Sequence, residues 1–591
     1  MPDPANPLIV QSDRTVLLEV DNDRYEPCRD ALAAFAELVK SPEHIHTYRV
    51  SPLSLWNARA ASLTVEQILS ALAEYSKYDL PGNVITDIRD YAGRFGRLTL
   101  LKDDGRLVLQ ADDRLLATEL WHHKQARPLF IEQIDPRRLA VHLLDRGRLK
   151  QTLIKIGFPI EDLAGYVDGE HLDLALRPIL ADGTALQLRH YQNEAANSFW
   201  AAGGPAGGSG VLVLPCGAGK TVIAMDVLAK AQTSTLILTT GITASNQWKR
   251  ELLDKTTLTD REIGLYSGEH KEIRPVTLAT YQVMTYRRRG EFIHLELFNQ
   301  RNWGLIVYDE VHLLPAPVFR VTAEIQAKRR LGLTATLVRE DHREDDVFSL
   351  IGPKKCDVPW KVLEKQGWIA TASCHEIRLP LAEDLRLPYA VGDPNEKFRI
   401  ASCNPGKFDV VERLLERHQS DQILIIGQFL EQLEALAGRL QVPLITGKTP
   451  TRDRERLYQQ FRDGEINRLV VSKVANFAID LPDANVAIQI SGTFGSRQEE
   501  AQRLGRILRP KSEHNQAHFY TLVTRDSRDH DFAVNRQLFL TEQGYQYEIL
   551  DAADLDGGRV PGEDVPSNVI AFQRRLPSAS GGVLGRQQAG V

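Results

Sequence analysis

Five consecutive residues near the middle of the chain have the types and order that hold a phosphate group: Gly217, Ala218, Gly219, Lys220 and Thr221. The two glycines let backbone N–H groups turn inward onto phosphate oxygens. Lys220 can reach the β- and γ-phosphates of a nucleotide, and the Thr221 hydroxyl can bind Mg²⁺. The segment predicts a nucleotide-binding turn. A plain glycine-rich turn between a strand and a helix is the alternative.

The flanking residues predict the elements that position this turn. Residues 211–215 are apolar and predict a buried strand, and residues 221–231 predict a helix. A strand, a glycine-rich turn and a helix form the arrangement that a phosphate cradle requires. Pro215 and Cys216 complete the expected ATP contacts. The usual pattern has a glycine where Leu214 stands, so the first position departs from it.

Two adjacent acids, Asp309 and Glu310, follow a second buried strand. Ligands of parallel sheets bind at the carboxyl ends of strands. Roughly 90 residues separate Lys220 from Asp309, which leaves room for about three strand–helix units. We expect Asp309 to hold Mg²⁺, mostly through water, and Glu310 to orient and deprotonate the attacking water. A helix cap is the alternative interpretation of the acid pair. His312 is expected to link the nucleotide to a neighbouring lobe of the protein.

Three further residues are expected to contact the base or the ribose of ATP. The amide of Gln192 offers one acceptor and two donors, which matches an adenine edge, and Arg189 stands beside it. The start of a surface helix is the alternative. Asp480 precedes a proline-containing turn and is expected to accept a ribose hydroxyl, although a lone aspartate often only forms a turn.

A basic helix face is predicted at Gln502, Arg506 and Arg509, which recur at i, i+4 and i+7. Planar guanidinium groups suit the spread charge of phosphoryl transfer. We therefore expect Arg506 and Arg509 to reach the γ-phosphate from the second lobe as arginine fingers. A solvated basic face is the alternative.

Further residues in or after the predicted strands are expected to bind a nucleic-acid strand, or to signal to the second lobe whether the γ-phosphate is present. Thr334 and Thr336 lie at another strand end and are expected to relay the γ-phosphate state. The candidate grips on a nucleic-acid strand are Thr240, Gln247, Trp248, Lys249, Arg250, Thr280, Tyr281, Ser472 and Lys473. Backbone contacts of this kind ignore base sequence and weaken with salt. Because the net charge is −6, such binding requires a local basic channel.

The alternation of strands and helices predicts an α/β chain with two tandem parallel-sheet lobes, preceded by mixed α/β N-terminal domains. Helices are expected over residues 28–40 and 65–78, and a hairpin around residues 103–105. The expected domains are residues 1–115, a small unit at 116–184, two lobes at 185–370 and 371–550, and a disordered tail at 551–591.

The composition excludes several classes of protein. Five scattered cysteines without a CxxC spacing fit a reducing cytosol and argue against a zinc site or an iron–sulfur cluster. His44 and His46 alternate along one segment, and a structural role is favoured over a metal pair. No apolar run approaches about 20 residues and no signal peptide is recognisable, so membrane insertion and export are not expected.

At these motifs the chain resembles superfamily 2 helicases, and within them the XPB family. The matching segments are LPCGAGKT, YDEVH, LGLTATLVRED, SKVANFAIDLP and GSRQEEAQRLGRILR. Arg339, Glu340 and Asp341 are similar to the RED motif that marks this family, and they are more specific than the shared ATPase motifs. The resemblance also reaches the N-terminal part and covers most of residues 7–545.

The resemblance implies two RecA-like lobes, ATP and Mg²⁺ as cofactors, and 3′ to 5′ unwinding of DNA in nucleotide excision repair in the bacterial cytoplasm, near the nucleoid. It implies that residues 116–184 resemble a damage-recognition region, that the RED triplet couples DNA to catalysis, and that a nuclease or repair protein is a possible partner. The family's thumb insertion would lie near residues 384–400, where this chain is short, so a full thumb is not expected. A translocase without processive unwinding, an RNA-directed helicase and an ATP-binding clamp without hydrolysis are the alternatives.

Overall fold

The structure is a computed structural model. It describes residues 3–40, 44–103, 106–142, 145–204, 207–215, 217–325, 328–335, 344–358, 360–368, 370–472, 484–492, 516–533 and 547–557.

The strands extend from the N-terminal region to residue 551. They are β1 (Leu8–Val10), β2 (Thr15–Glu19), β3 (Glu37–Lys40), β4 (Ile45–Arg49), β5 (Leu98–Asp103), β6 (Arg106–Ala111), β7 (Phe130–Asp135), β8 (Arg138–Val141), β9 (Ile160–Asp162), β10 (Ser209–Val213), β11 (Thr235–Thr239), β12 (Ile263–Tyr266), β13 (Val276–Thr280), β14 (Leu305–Asp309), β15 (Arg329–Thr334), β16 (Lys354–Asp357), β17 (Thr371–Leu379), β18 (Ile423–Gly427), β19 (Leu444–Ile445), β20 (Arg468–Ser472), β21 (Val486–Gln489), β22 (Gln516–Thr524) and β23 (Tyr547–Asp551).

Helices connect most of these strands. They are α1 (Tyr25–Ala33), α2 (Pro52–Ala60), α3 (Val65–Tyr75), α4 (Gly82–Gly93), α5 (Arg114–His122), α6 (Arg146–Lys155), α7 (His190–Trp200), α8 (Lys220–Ala231), α9 (Ile242–Lys255), α10 (Tyr281–Thr285), α11 (Ala316–Glu324), α12 (Glu344–Asp346), α13 (Trp360–Lys365), α14 (Arg386–Val391), α15 (Pro394–Ser402), α16 (Gly406–Arg417), α17 (Leu430–Leu440) and α18 (Thr451–Arg462). A π-helical segment, Val347–Ile351, continues α12.

The first lobe is built on a parallel seven-stranded sheet with the order β12-β13-β11-β14-β15-β10-β16. Its central strands are mostly apolar, and β11 and β13, which also contain threonines, are buried at every position. Helices cover both faces of such a sheet, so its strands cannot alternate between apolar and polar residues. The carboxyl ends of its strands therefore form the edge where functional side chains can meet.

A second parallel sheet forms the other lobe, with the order β19-β20-β18-β21-β22-β17-β23. The expected α/β class, with two tandem parallel-sheet lobes of RecA type, is confirmed by these two sheets. Two of its strands, β17 and β23, come from segments for which the sequence pattern predicted no strand, and they pair side by side. The disordered tail was expected from residue 551, but Asp551 ends β23 and Ala552–Gly557 forms a 3₁₀ helix whose Ala552 and Leu555 pack against the core of this lobe. The rest of the expected tail lies outside the described residues.

Two smaller sheets precede the lobes. The first is antiparallel with the order β1-β2-β4-β3, and the second has five strands in the order β7-β8-β6-β5-β9. The expected hairpin is present as β5 and β6, which pair antiparallel along their full length. The second sheet takes this hairpin from before the expected boundary at residue 115 and three strands from after it, because β6 pairs with β8 and β5 with β9.

One predicted helix is shorter than expected. The sequence pattern predicted a helix over residues 28–40, but α1 ends at Ala33 and Glu37–Lys40 forms strand β3. The chain turns at Phe35, which is buried, and β3 then pairs with β4. Pairing with a neighbouring strand outweighs the helical preference of this short segment.

The N-terminal region contacts the first lobe through polar groups. The backbone N–H of Lys354 donates to Oδ1 of Asn57 at 3.0 Å, and Nε2 of Gln151 donates to Oδ1 of Asp346 at 2.7 Å. Among the described helices, none is long and apolar enough to cross a membrane.

Candidate active site

The predicted phosphate cradle lies between strand β10 and helix α8. Gly217 and Gly219 have φ values of 83° and 82°, a region that L-residues with a side chain rarely adopt. Lys220 is the first residue of α8, and Gly219 is its N-cap. The free N–H groups and the positive end of the helix dipole therefore face the turn, as anion binding requires.

The cradle lysine and the second acid of the pair are in direct contact. Nζ of Lys220 donates to Oε1 of Glu310 at 3.1 Å, and the two side chains are 12% and 17% exposed. The sheet register explains the contact. Val213 pairs with Thr334, and Leu333 pairs with Asp309, so β10, β15 and β14 end at the same level. Lys220 and the acid pair therefore lie together at one edge of the sheet, as the sequence predicted.

Glu310 has a strained backbone conformation and a carboxyl group with a lowered pKa. Its φ of 49° and ψ of 57° are left-handed, a conformation that costs of order 1 kcal/mol or more for a non-glycine residue. Burial acts to raise the pKa of Glu310, but the Lys220 ammonium and His312 outweigh this effect and hold the pKa below its usual value. Its Oε2 is buried and has no hydrogen-bond partner among the described residues. An ionised carboxylate oxygen that accepts no hydrogen bond can accept a proton from water.

Asp309 is held from two sides by aromatic side chains. Nε1 of Trp248 donates to its Oδ2 at 2.9 Å, and the hydroxyl of Tyr281 donates to its backbone carbonyl at 3.0 Å. Burial raises the pKa of Asp309 to about 6, the charge of Glu310 adds to the rise, and the Trp248 hydrogen bond opposes it. Trp248 of α9 therefore orients the carboxylate, and Tyr281 of α10 holds the backbone of Asp309.

His312 connects the acid pair with the end of β15. Its Nδ1 lies 2.7 Å from Oγ1 of Thr334 and 3.5 Å from Oε2 of Glu310. His312 and Thr334 are both buried. The expected relay through Thr334 thus has a physical path, since the two side chains share a hydrogen bond next to Glu310.

Gln192 contacts the cradle itself. Its Oε1 accepts from the backbone N–H of Arg189 at 3.0 Å, and its Nε2 donates to the carbonyl of Ala218 at 3.0 Å. The hydroxyl of Tyr191 donates to the same carbonyl at 2.7 Å. The amide retains one donor and one acceptor site, so contact with adenine stays a prediction. Tyr191 was not expected as a site residue. Its only sequence signal is its position next to Gln192.

The candidate grips divide into buried and accessible groups. Trp248 and Tyr281 are 3% and 5% exposed, so they were wrongly expected to face a nucleic-acid strand. Both lie inward because their polar atoms bind Asp309. Thr280 is also buried, and its hydroxyl accepts from the backbone N–H of Val283 as the cap of α10.

The remaining described grips lie at strand ends or on α9. Thr240 and Gln247 are half-buried, Arg250 is exposed, and Lys249 lies 2.7 Å from Asp260. Ser472 ends β20 and is buried. Several predicted residues lie outside the described part of the chain: Cys216, Thr336, Arg339, Glu340, Asp341, Lys473, Asp480, Gln502, Arg506 and Arg509.

The residues at this edge fit a magnesium–nucleotide complex. Mg²⁺ prefers hard oxygen ligands and usually takes only one or two from the protein, with the rest from phosphates and water. The Asp309 carboxylate and the Thr221 hydroxyl at the start of α8 are such donors. His44 is exposed and lies 2.9 Å from Asp21, whereas His46 is buried with its Nδ1 3.1 Å from the Tyr25 hydroxyl. The structural role favoured for the two histidines stays a prediction.

Comparison with known proteins covers most of the chain. The model of the ERCC3/RAD25/XPB C-terminal helicase family matches residues 363–558, and that of the type III restriction enzyme res subunit matches residues 185–339. A model described as a helicase conserved C-terminal domain matches residues 8–135. A protein of Kineococcus radiotolerans named DNA 3'-5' helicase XPB is 56% identical over 94% of this chain and 98% of its own length.

The chain belongs to the XPB family of helicases. A Mycobacterium tuberculosis protein of the same name is also 56% identical, over 93% of this chain and 99% of its own. An Enterocytozoon bieneusi protein, named the XPB helicase/translocase subunit of general transcription and DNA repair factor IIH, is 31% identical over 92% of both chains. The resemblance to XPB helicases is therefore confirmed, and the chain is an ATP-hydrolysing helicase by family.

Proposed function

We propose that this XPB-family chain hydrolyses ATP with Mg²⁺ and uses the energy to open duplex DNA with 3′ to 5′ polarity during nucleotide excision repair. The observation that carries the proposal is the contact between Lys220 and Glu310 at 3.1 Å, beside an Asp309 carboxylate. It supports a cradle and an acid pair that act on one nucleotide. The names of the bacterial relatives favour DNA over RNA as the polymer.

Each residue of the site has a separate task. Lys220 and the N–H groups of residues 217–219 bind phosphate oxygens, and Thr221 and Asp309 hold Mg²⁺. Mg²⁺ would neutralise charge that develops on the phosphates. Glu310 accepts the proton of the attacking water, since Lys220 keeps it ionised. Gln192 orients the cradle through Ala218 and remains a candidate for adenine recognition.

The second lobe contributes charge and motion in this proposal. Arg506 and Arg509 act as arginine fingers, Gln502 and Asp480 complete the nucleotide contacts, and Arg339, Glu340 and Asp341 couple DNA to catalysis. These roles are supported by the family membership and by the spacing of the residues. We also propose domain boundaries near residues 184, 370 and 550. We propose a cytoplasmic, nucleoid-associated location and a nuclease or repair protein as a partner.

The decisive experiment compares wild type with Glu310→Gln. ATP turnover is measured alone and with single-stranded DNA, duplex DNA and RNA, beside strand displacement on substrates with 3′ or 5′ tails. We expect DNA to stimulate wild-type turnover, displacement on 3′-tailed substrates, and loss of turnover by about 100-fold or more in the variant with ATP binding retained.

Each other outcome points to a different conclusion. Stimulation by RNA alone indicates an RNA-directed helicase, and DNA-stimulated turnover without strand displacement indicates a translocase. Normal turnover in Glu310→Gln removes the assignment of the general base. A wild-type protein that binds ATP but never hydrolyses it would be a clamp.

A further inference from the structure

An exposed turn on the first lobe carries three consecutive arginines that no motif explains. Tyr286, Arg287, Arg288 and Arg289 are all exposed, and Gly290 follows them. In a chain with a net charge of −6, such a local group of like charges is a candidate for an anionic partner. We call residues 286–292 the arginine turn.

The backbone of the arginine turn has a defined geometry. The N–H of Arg288 donates to the carbonyl of Glu291 at 2.9 Å, and the N–H of Glu291 donates back to the carbonyl of Arg288 at 3.1 Å. Arg289 and Gly290, between them, have φ values of 52° and 87°. Two left-handed central residues form a type I′ turn, where Asn or Gly usually stands first. An arginine at that tip costs of order 1 kcal/mol.

The three guanidinium groups differ from many other arginines of the protein. Arg97, Arg138 and Arg439 each lie within 2.9 Å of a carboxylate oxygen. Within the described ranges, no carboxylate forms an ion pair with any arginine of the turn. These charges are therefore available to an anion that comes from outside the chain.

Aromatic rings stand beside these charges. The Arg287 guanidinium lies over the ring of Phe292 at 4.4 Å, which orients it. The Tyr286 ring is 55% exposed and lies 5.9 Å from that of His294. Sites for single-stranded nucleic acid combine positive charge that follows the backbone with aromatic faces on which bases stack. The mixture thus fits a nucleic-acid strand better than a free phosphate.

The position of the turn connects it with the ATP site. It directly follows α10, a helix of only five residues. The first residue of that helix, Tyr281, donates its hydroxyl to the carbonyl of Asp309. A strand held at the arginine turn is therefore one short helix away from the Mg²⁺-binding acid.

We propose that the arginine turn binds the phosphate backbone of a DNA strand and thereby contributes to DNA-stimulated ATP hydrolysis. The proposal rests on the function proposed above and adds a specific contact surface to it. Arg288 and Arg289 supply the charges that contact phosphates, and Tyr286 offers its ring to a base. Contacts of this kind do not depend on base sequence.

The test uses the double variant Arg288→Ala/Arg289→Ala in the full chain. Binding of a fluorescein-labelled oligodeoxythymidine is followed by anisotropy between about 50 and 200 mM salt. Removing two phosphate contacts is expected to reduce the slope of log K against log salt by about 1.4 and to weaken binding at low salt. ATP turnover without DNA is expected to equal that of wild type, while the DNA concentration for half-maximal stimulation rises.

Two comparison variants keep the test falsifiable. Arg106 lies 3.0 Å from Glu132, and Arg439 lies 2.6 Å from Glu412. Arg106→Ala/Arg439→Ala thus removes the same charge from paired arginines and is expected to leave the salt slope unchanged. Arg288→Lys/Arg289→Lys retains the charge and is expected to restore most of the slope. An unchanged slope in the alanine variant, or an equal loss in the control, overturns the proposal. If DNA fails to stimulate even the wild type, the proposed function itself fails instead.

Discussion

The indole Nε1 of Trp248 donates a hydrogen bond to Oδ2 of Asp309 at 2.9 Å. Trp248 lies on α9, which follows the neighbouring strand β11, and its ring is buried under the edge where the acids stand. The element that the sequence predicted to grip a nucleic-acid strand thus orients the carboxylate expected to hold Mg²⁺.

Trp248→Phe removes this hydrogen bond and keeps an aromatic ring. A hydrogen bond to a charged group contributes about 1.5–3 kcal/mol, so we expect a Mg²⁺ requirement for ATP turnover that is raised by about tenfold or more. Because the N–H lowers the pKa of Asp309, its loss should also move the acid limb of the pH–rate profile to higher pH.

Trp303→Phe is the matched control for this variant. The Trp303 indole is also buried, but it donates to the carbonyl of Leu297. The control is expected to retain the wild-type Mg²⁺ requirement even if its stability falls. Equal Mg²⁺ curves for both variants would contradict a positioning role of Trp248.

Thr334→Val tests the relay next to Glu310. The substitution keeps the shape of the side chain and removes the hydroxyl that lies 2.7 Å from Nδ1 of His312. We expect ATP binding to be retained and the number of base pairs opened per ATP to fall several-fold, measured by strand displacement and phosphate release in parallel. Thr322→Val removes a buried hydroxyl that contacts Tyr308 and is the control. If Thr334→Val opens a normal number of base pairs per ATP, the relay through Thr334 is contradicted.

Gly219→Ala should weaken nucleotide binding by the cradle. A Cβ atom at this position would lie 2.5 Å from Nε2 of Gln192, on a backbone with a φ of 82°. The clash and the left-handed strain cost about 1–3 kcal/mol, so we expect about 5- to 150-fold weaker binding of a fluorescent ATP analogue. Gly438→Ala, where no atom lies within 4 Å, is expected to bind normally. Normal binding by Gly219→Ala would contradict the cradle geometry.

Two buried histidines make the second lobe sensitive to acid. Burial, with nearby positive groups, lowers the pKa of His375 and of His518 to about 4. The unfolded chain binds protons near a pKa of 6.5, so it binds more protons than the folded lobe between about pH 6.5 and 4. The free energy of unfolding of the second lobe therefore decreases as the pH falls through that window, by up to about 1.4 kcal/mol per pH unit for each histidine.

Hydrogen exchange of peptides from β17 and β22 checks this expectation. After correction for intrinsic exchange rates, protection at pH 5 should be lower than at pH 7, whereas β11 and β13 of the first lobe should change less. His518→Phe should reduce the difference, since one titrating ring is removed. Equal protection of β17 at both pH values would show that the histidines titrate normally.

Much of the site could be predicted from local sequence. Residues 217–221 have the required types in consecutive order, and the acid pair directly follows an apolar strand. Such features depend on backbone freedom and on chemistry within a few residues, which is why they can be recognised without a fold. The strands β12, β16, β17 and β23 could not be recognised, because they depend on pairing with distant segments.

The roles of Trp248 and Tyr281 show the limit of the local argument. Both were expected to grip a nucleic-acid strand, but the polar atoms of both bind Asp309 instead. Which face of a helix is turned inward depends on its packing against the sheet, and a single residue type cannot decide it.

The sequence by itself determined the chemistry: a phosphate-binding turn, a lysine, two carboxylates and the family to which they belong. Only the tertiary structure decided which groups touch. Parallel pairing of β10, β15 and β14 brings Lys220 within 3.1 Å of Glu310, although they are 90 positions apart in the chain. The physical reason is that residue types record local preference, whereas contact between distant residues depends on strand order and register, which the whole fold sets together.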